Sequence, residues 1–309
     1  MISVVGAGVS GLSCALELSE SGFDVEIVTR NAPLDTTSAV AAAVWWPYDP
    51  EPIEHARSWA QISLQRFLRL ADEEPESGVI LRRGYYRQPA GDVARWFDHL
   101  IHLGLTSSDD GMETYSLETP IIDMGIYLLW LRDQCNEAGI TWTQRDIASF
   151  DDLADSSLIV NCSGLGAREL ASDENIRSLR GQVVFIRDSG IDEITKDETE
   201  IGVATYLYPR KNVVVLGGTV EESESLRPDD ATTADIIERC AVLEPRVRGA
   251  KVDSVKVGLR PHRFAIRLEV DDQFSTPVVH NYGHGRSGVS LSWGCAQQVC
   301  KLVKNPDNR

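Results

Sequence analysis

The hexapeptide GAGVSG at residues 6–11 constrains this chain more than any other stretch. It follows the apolar run ISVV directly and opens the helix-patterned LSCALELSESG, and a second strand, VEIV, comes within thirty residues. A bare GxGxxG carries little weight, but strand, glycine turn, helix and strand in this order make a dinucleotide-binding βαβ unit. Gly6 permits the tight turn, Gly8 lets a pyrophosphate approach the backbone, and Gly11 lets the helix lie on the strand. Ala7, Val9 and Ser10 then supply amides at a helix N-terminus, where the dipole favours phosphate. The second strand ends in Thr29 and Arg30 rather than the usual acidic residue for a ribose. Arg30 either flanks an adenine or is a solvated strand end, and an arginine here leaves a 2′-phosphate open.

A chain of 309 residues can bury a large core and divide in two. A formal charge of −17 argues against nucleic acid and anionic membrane surfaces, which need cationic faces. No apolar run reaches bilayer length, and Met1 leads straight into a strand without a basic leader. A cytoplasmic protein is therefore expected. The six cysteines are scattered without a CxxC pair, and no histidine cluster has ligand spacing, so reduced cysteines and no metal site are expected.

Helical periodicity recurs over residues 53–74, near 124–139, over 231–243 and from about 288. The runs 180–187, YLYP and NVVVLGG alternate as strands, the last two as a hairpin around 209–212. Residues 188–200 are acidic and poor in apolar residues, so they read as a surface turn or loop. The fold class is α/β: a discontinuous Rossmann-like domain (1–50, 120–180 and 255–309) plus a mixed-sheet α+β domain (51–119 and 181–254).

Further motifs occur in order: DTTSAVAAAVWWPY (35–48), NCSG (161–164), RGQ (180–182), YLYP (206–209), VLGGT (215–219), GLRPHR (258–263), IRLE (266–269) and HNYGHG (280–285). Together they resemble the D-amino acid oxidase family, which includes the D-aspartate oxidases, over residues 2 to about 303. The resemblance implies an FAD-binding Rossmann-like domain and a substrate domain that meet at the flavin. It places Thr36, Thr37, Ser38, Ala42, Ala43, Gly164, Gly181 and Gln182 among the cofactor contacts. It also implies that HNYGHG and the helix after it form a floor beside the flavin, with Gly285, Gly288, Val289 and Ser290 near the ring. Glycines there would let the backbone approach a flat ring.

For the substrate, the resemblance puts Arg267 of IRLE on the α-carboxylate, because a planar guanidinium grips a carboxylate through two parallel bonds. Arg260 and Arg263 are close enough to be confused with it, and a surface ion pair is the plainer role for Arg267. Tyr206 adds a second bond, with Tyr208 the weaker candidate. The main-chain carbonyl of Arg286 holds the amine. Arginine at 286 departs from the family's small residue, and its guanidinium goes either to solvent or across the substrate entrance.

A tyrosine four residues before Tyr206 in the mammalian-type enzymes is replaced by Gly202, and the acidic segment is short for their lid. Two arginines of D-aspartate oxidases correspond to Val220 and Thr199. With Tyr85 and Trp45 or Trp46, this points to neutral or apolar D-amino acids, unless Arg286 substitutes for the missing charges and biases the pocket toward polar or acidic side chains.

The implied reaction is hydride transfer from Cα to flavin N5, with dioxygen as acceptor and 2-oxo acid, ammonia and hydrogen peroxide as products. No side chain acts as a base, and His280 and His284 read as structural. A D-aspartate or D-glutamate oxidase, an FAD-dependent dehydrogenase that ignores oxygen, and a non-catalytic nucleotide binder are the alternatives. A homodimer is an admissible assembly.

Overall fold

A computed structural model of the chain describes residues 1–48, 50–89, 101–107, 111–187, 190–200 and 204–305. In chain order the elements are β1 (Ile2–Val5), α1 (Val9–Glu20), β2 (Val25–Thr29), α2 (Ile53–Glu73), β3 (Val79–Pro89), β4 (Ile101–Ser107) and β5 (Met112–Ile122). Next come α3 (Met124–Glu137), β6 (Thr141–Gln144), β7 (Leu158–Asn161), α4 (Ala167–Leu170), β8 (Arg177–Arg187), β9 (Ile194–Asp197) and β10 (Thr205–Pro209). The rest are β11 (Val213–Gly217), β12 (Glu221–Glu222), α5 (Asp230–Leu243), β13 (Val252–Asp271), β14 (Val278–His284) and α6 (Gly288–Lys304).

The order β14-β7-β1-β2-β6 is parallel throughout. Such strands are covered on both faces, so their residues are apolar on both. Val4 and Ile27 are fully buried, as are Leu12 and Leu18 on α1. The rest of the sheet is mixed and runs β4-β5-β3-β9-β10-β11-β8-β13. β13 joins the two parts, pairing antiparallel with β14 on one edge and with β8 on the other. Both β8 and β13 cross the boundaries expected near residues 180 and 255, because one continuous ladder spans both regions.

Beneath the mixed sheet, α5 places Ile236, Cys240 and Ala241 against Val184, Leu207 and Leu216. On the other side α2 and α6 cross so closely that a Cβ on Gly294 would overlap the backbone of Trp59. The Gly294 amide donates to Ser63 Oγ at this crossing, 3.0 Å away. All six cysteines are buried and none is in a disulfide. Among the described residues no helix is long and apolar enough to cross a membrane, and no group of acidic, histidine or cysteine side chains could hold a metal ion.

One element departs from the sequence reading. Within residues 188–200, Ile194–Asp197 is a strand between β10 and β3 rather than a surface turn or loop. Its inward residues are Ile194 and Lys196, and a buried lysine hides the alternation that apolar residues would reveal.

Candidate active site

A cavity of about 850 Å³ opens at the C-terminal ends of β1, β2 and β14. In a parallel α/β sheet this is where loops leave the strands and ligands bind. Its walls include the turn Gly6–Ser10, Thr29 and Arg30, residues 35–38 and 40–44, Ser163 and Gly164, Gly181, and the start of α6. Thus Gly6, Ala7, Gly8, Val9, Ser10, Arg30, Thr36, Thr37, Ser38, Ala42, Ala43, Gly164 and Gly181 converge from five separate segments. Gly285, Arg286, Gly288, Val289 and Ser290 close the opposite end.

The turn has the geometry its glycines require. Gly6 has φ +106°, and a Cβ there would meet the Cys162 carbonyl at 2.7 Å. A Cβ on Gly11 would overlap the Gly6 carbonyl, so α1 can lie this close only with glycine. Gly11 therefore packs beneath the loop and does not line the cavity. The Val9 amide is held by Ser38 Oγ at 3.0 Å, which ties the helix start to the second loop. Neither α1 nor α6 has a side-chain cap or an acidic residue in its first turn, and both N-termini face the cavity. Two uncompensated helix dipoles aimed at one space favour electron-rich ligand groups at both ends.

Arg30 is exposed and lies 3.8 Å from Asp146. Thr29 spends its hydroxyl on the Asn31 carbonyl. Ser290 and Ser287 accept the amides of Trp46 and Tyr48 through their hydroxyls, pinning the aromatic segment to the start of α6. Of the glycines in HNYGHG, Gly285 lines the cavity and Gly283 does not. Gly283 has φ +87° and makes room for Arg263, so it serves packing within the sheet.

Two expected contacts are corrected. Gln182 lies outside the cavity, and both ends of its amide are occupied. Its nitrogen donates to the Asp229 carbonyl and Thr233, and its oxygen accepts from Arg180 and the Asp229 amide.

Arg267 is also outside. Its guanidinium bonds Glu269 at 2.7 Å, Asp271 at 2.8 Å and the Tyr282 hydroxyl at 2.9 Å. Two carboxylates already offset its charge, which leaves no excess for a ligand anion. The β13–β14 pairing also shifts register between His262 and Arg267, so side chains do not alternate regularly along this stretch. Arg263 is likewise taken, by Asp173 at 2.9 Å.

Of the three arginines on β13, the one that faces the cavity is Arg260. It donates to the Thr219 carbonyl, 3.2 Å away, and among the described residues no carboxylate pairs with it. Burial pulls its pKa below the ordinary value, with Tyr206 opposing and Arg286 adding to the fall. The guanidinium fills the space above Gly181, where a Cβ would overlap it. Tyr206 is placed in the same way, its ring lying over Gly217 and Gly218 and stacked on Tyr208 at 4.3 Å. Burial pushes the Tyr206 hydroxyl up to about 12, so it stays protonated and can donate.

Tyr48 and Tyr208 line the same end, and only Tyr208 stood out in the chain as a candidate. Tyr85, Trp45 and Trp46 do not line it: Trp45 is core, and Trp46 stacks on Tyr86 at 4.5 Å. Val220 does. Gly202 lies outside the described residues. His280 is fully buried between Asn161 and Asp271, and His284 lines the cavity while bonded to Asn281. Burial holds both near pKa 4, hence neutral.

The sequence pattern of the family described as FAD dependent oxidoreductase matches residues 1–302. The chain belongs to this family.

Among the relatives of this oxidoreductase is a D-amino-acid oxidase from Rubrobacter xylanophilus, 41% identical over 97% of this chain and 94% of that protein. A human D-aspartate oxidase is 34% identical over 98% and 94%. A solved structure of glycine oxidase from Geobacillus kaustophilus superposes with TM-score 0.81, covering 98% of this chain and 94% of the other at 16% identity, and so shares the fold. FAD is the family's cofactor, and the residues present fit it. The glycine turn and the start of α1 suit a diphosphate, and the bare start of α6 suits the electron-rich end of a flavin.

Proposed function

We propose that this oxidoreductase is a D-amino-acid oxidase. When bound, FAD would supply a two-electron acceptor for the Cα hydride that dioxygen reoxidises with formation of hydrogen peroxide, and water would hydrolyse the imino acid left behind to a 2-oxo acid and ammonia. The protein's own part is binding and orientation. Arg260 takes the α-carboxylate, the Tyr206 hydroxyl donates a second bond to it, and the main-chain carbonyl of Arg286 accepts from the neutral amine. Three fixed hydrogen-bonding groups orient Cα, and such alignment is a large share of what a site can contribute when the cofactor carries the chemistry. His284 stays neutral and hydrogen-bonded, so no side-chain base is assigned.

The observation that carries this reading is Arg260: a guanidinium without a carboxylate partner among the described residues, beside a protonated tyrosine, in the wall of a cavity with two helix N-termini. The D-handedness rests on the Rubrobacter and human relatives. Anaerobic mixing of the FAD-loaded protein with D- and L-amino acids tests it. Loss of the yellow colour with D-isomers alone, and peroxide on admitting air, is the expected result. Bleaching without peroxide would point to the dehydrogenase, and no bleaching at all to a nucleotide binder.

A further inference from the structure

The cavity that Arg260 lines holds a second cation, electrostatically coupled to it, whose charge the protein does not fully offset. Arg286 lines the cavity and holds its guanidinium over the Tyr48 ring, with the central carbon 3.7 Å from the centroid. Stacking fixes the plane of an arginine and leaves its edge N–H groups for in-plane acceptors. Its nearest carboxylate among the described residues, Glu198, is 3.6 Å away, beyond hydrogen-bond length. Glu198 is bound instead to Lys196 at 2.6 Å.

Lys196 is 1% exposed and caps the Trp46 ring at 3.7 Å, with Tyr48 at 4.7 Å. Lys196 and Glu198 thus offset each other, leaving the charge of Arg286 in excess beside Tyr206 and Arg260. A monocarboxylic substrate would neutralise Arg260 and leave Arg286 with only the Glu198 carboxylate it shares with Lys196.

We propose that Arg286 is a specificity-determining residue that binds a side-chain carboxylate, so that the preferred substrates are D-amino acids with an acidic side chain. This rests on the oxidase reading above. It replaces the expectation of neutral substrates, whose aromatic residues Tyr85, Trp45 and Trp46 lie outside the cavity. The site would then hold two carboxylates, one on Arg260 and one on Arg286, with the reacting carbon between them. Val220, exposed and apolar at the wall, offers the side chain no competing polar partner.

The test compares substrates of equal shape and different charge: D-aspartate with D-asparagine, and D-glutamate with D-glutamine. A charge-assisted hydrogen bond predicts kcat/KM roughly 10- to 100-fold higher for the better acid than for its amide in the native holoenzyme. In R286Q that ratio falls toward one, and R286K, which keeps the charge without the fork, restores part of it. An acid-to-amide ratio near one in the native protein, or a ratio that survives in R286Q, overturns the proposal. Neither of these touches the oxidase reading, which fails if no D-amino acid bleaches the flavin or if bleaching yields no peroxide on admitting air.

If R286Q does not fold, calorimetry on the native holoenzyme decides with two inert probes. Succinate binding at least roughly tenfold tighter than butyrate supports a second anion site, and equal affinities overturn it.

Discussion

At the scale of single residues, what separates Arg260 from Arg267 is charge already spent. Arg267 sits among Glu269, Asp271 and the Tyr282 hydroxyl, while Arg260 has a carbonyl. Arg260→Gln is therefore expected to lower kcat/KM by about 100-fold or more, the scale of removing one charged hydrogen bond from the transition state. Arg267→Gln should leave turnover of folded protein close to native and cost about 1–3 kcal/mol of stability, because it removes a charge-assisted bond from buried Asp271, which keeps the Gln273 amide and His280. Steady-state kinetics and thermal melts on the two variants check this, and a reversed pattern would return the carboxylate to Arg267.

Gly181 belongs to the same region. An added Cβ would overlap only the far end of the Arg260 side chain, which can swing aside. Gly181→Ala should thus raise KM roughly tenfold, the scale of one displaced hydrogen bond, with little change in melting temperature. A large loss of stability with unchanged KM would contradict it.

At the scale of elements, close crossings decide where the chain tolerates change. In Gly294→Ala the new methyl would overlap the Trp59 backbone at the α2–α6 crossing, and backbone cannot swing aside. Overpacking of this kind costs about 1–3 kcal/mol or more. Urea unfolding of the holoenzyme measures it, and a variant as stable as the native protein would show that the helices slide freely. The same elements explain a missed strand. β9 is hidden in the chain because Lys196 occupies an inward position, and the Glu198 carboxylate together with the rings of Trp46 and Tyr48 makes a buried ammonium tolerable.

At the scale of the whole molecule, stability is tied to pH through buried histidines on β14. His280 and His284 are held near pKa 4 by burial, against ~6.5 in an open chain. Below that open-chain value the unfolded state binds protons that the folded state refuses. The histidines' contribution to stability should therefore fall between about pH 6.5 and pH 4 and level off below, by up to about 3 kcal/mol per ring.

Asp173 and Asp271 act lower on the scale. Burial alone would raise them, but amide bonds from Asn175 and Gln273 and the neighbouring hydroxyl and cations outweigh it. Their contribution holds above about pH 4 and fades only beneath it. Melting temperatures at about pH 7 and about pH 5 should differ in the native protein and differ less in His284→Asn. An unchanged melting temperature down to about pH 5 would refute the linkage.

The dinucleotide turn, the α/β class, helices α2, α3, α5 and α6 and the hairpin β10–β11 were legible in the chain itself. Each rests on local rules: glycine where φ is positive, a 3.6-residue or two-residue period, and a cap or break at the end. Tyr206 and Arg286 were also visible as residues. Which arginine faces the cavity was not, because Arg260, Arg263 and Arg267 share one strand and differ only in partners from elsewhere. Asp173 takes Arg263, while the register between β13 and β8 sets Arg260 above Gly181. Sequence carries the conformational preferences of neighbours along the chain. The balance of charge at a point in space depends on groups that only the folded sheet brings together, and here that balance leaves Arg260, unlike Arg267, without a carboxylate partner among the described residues.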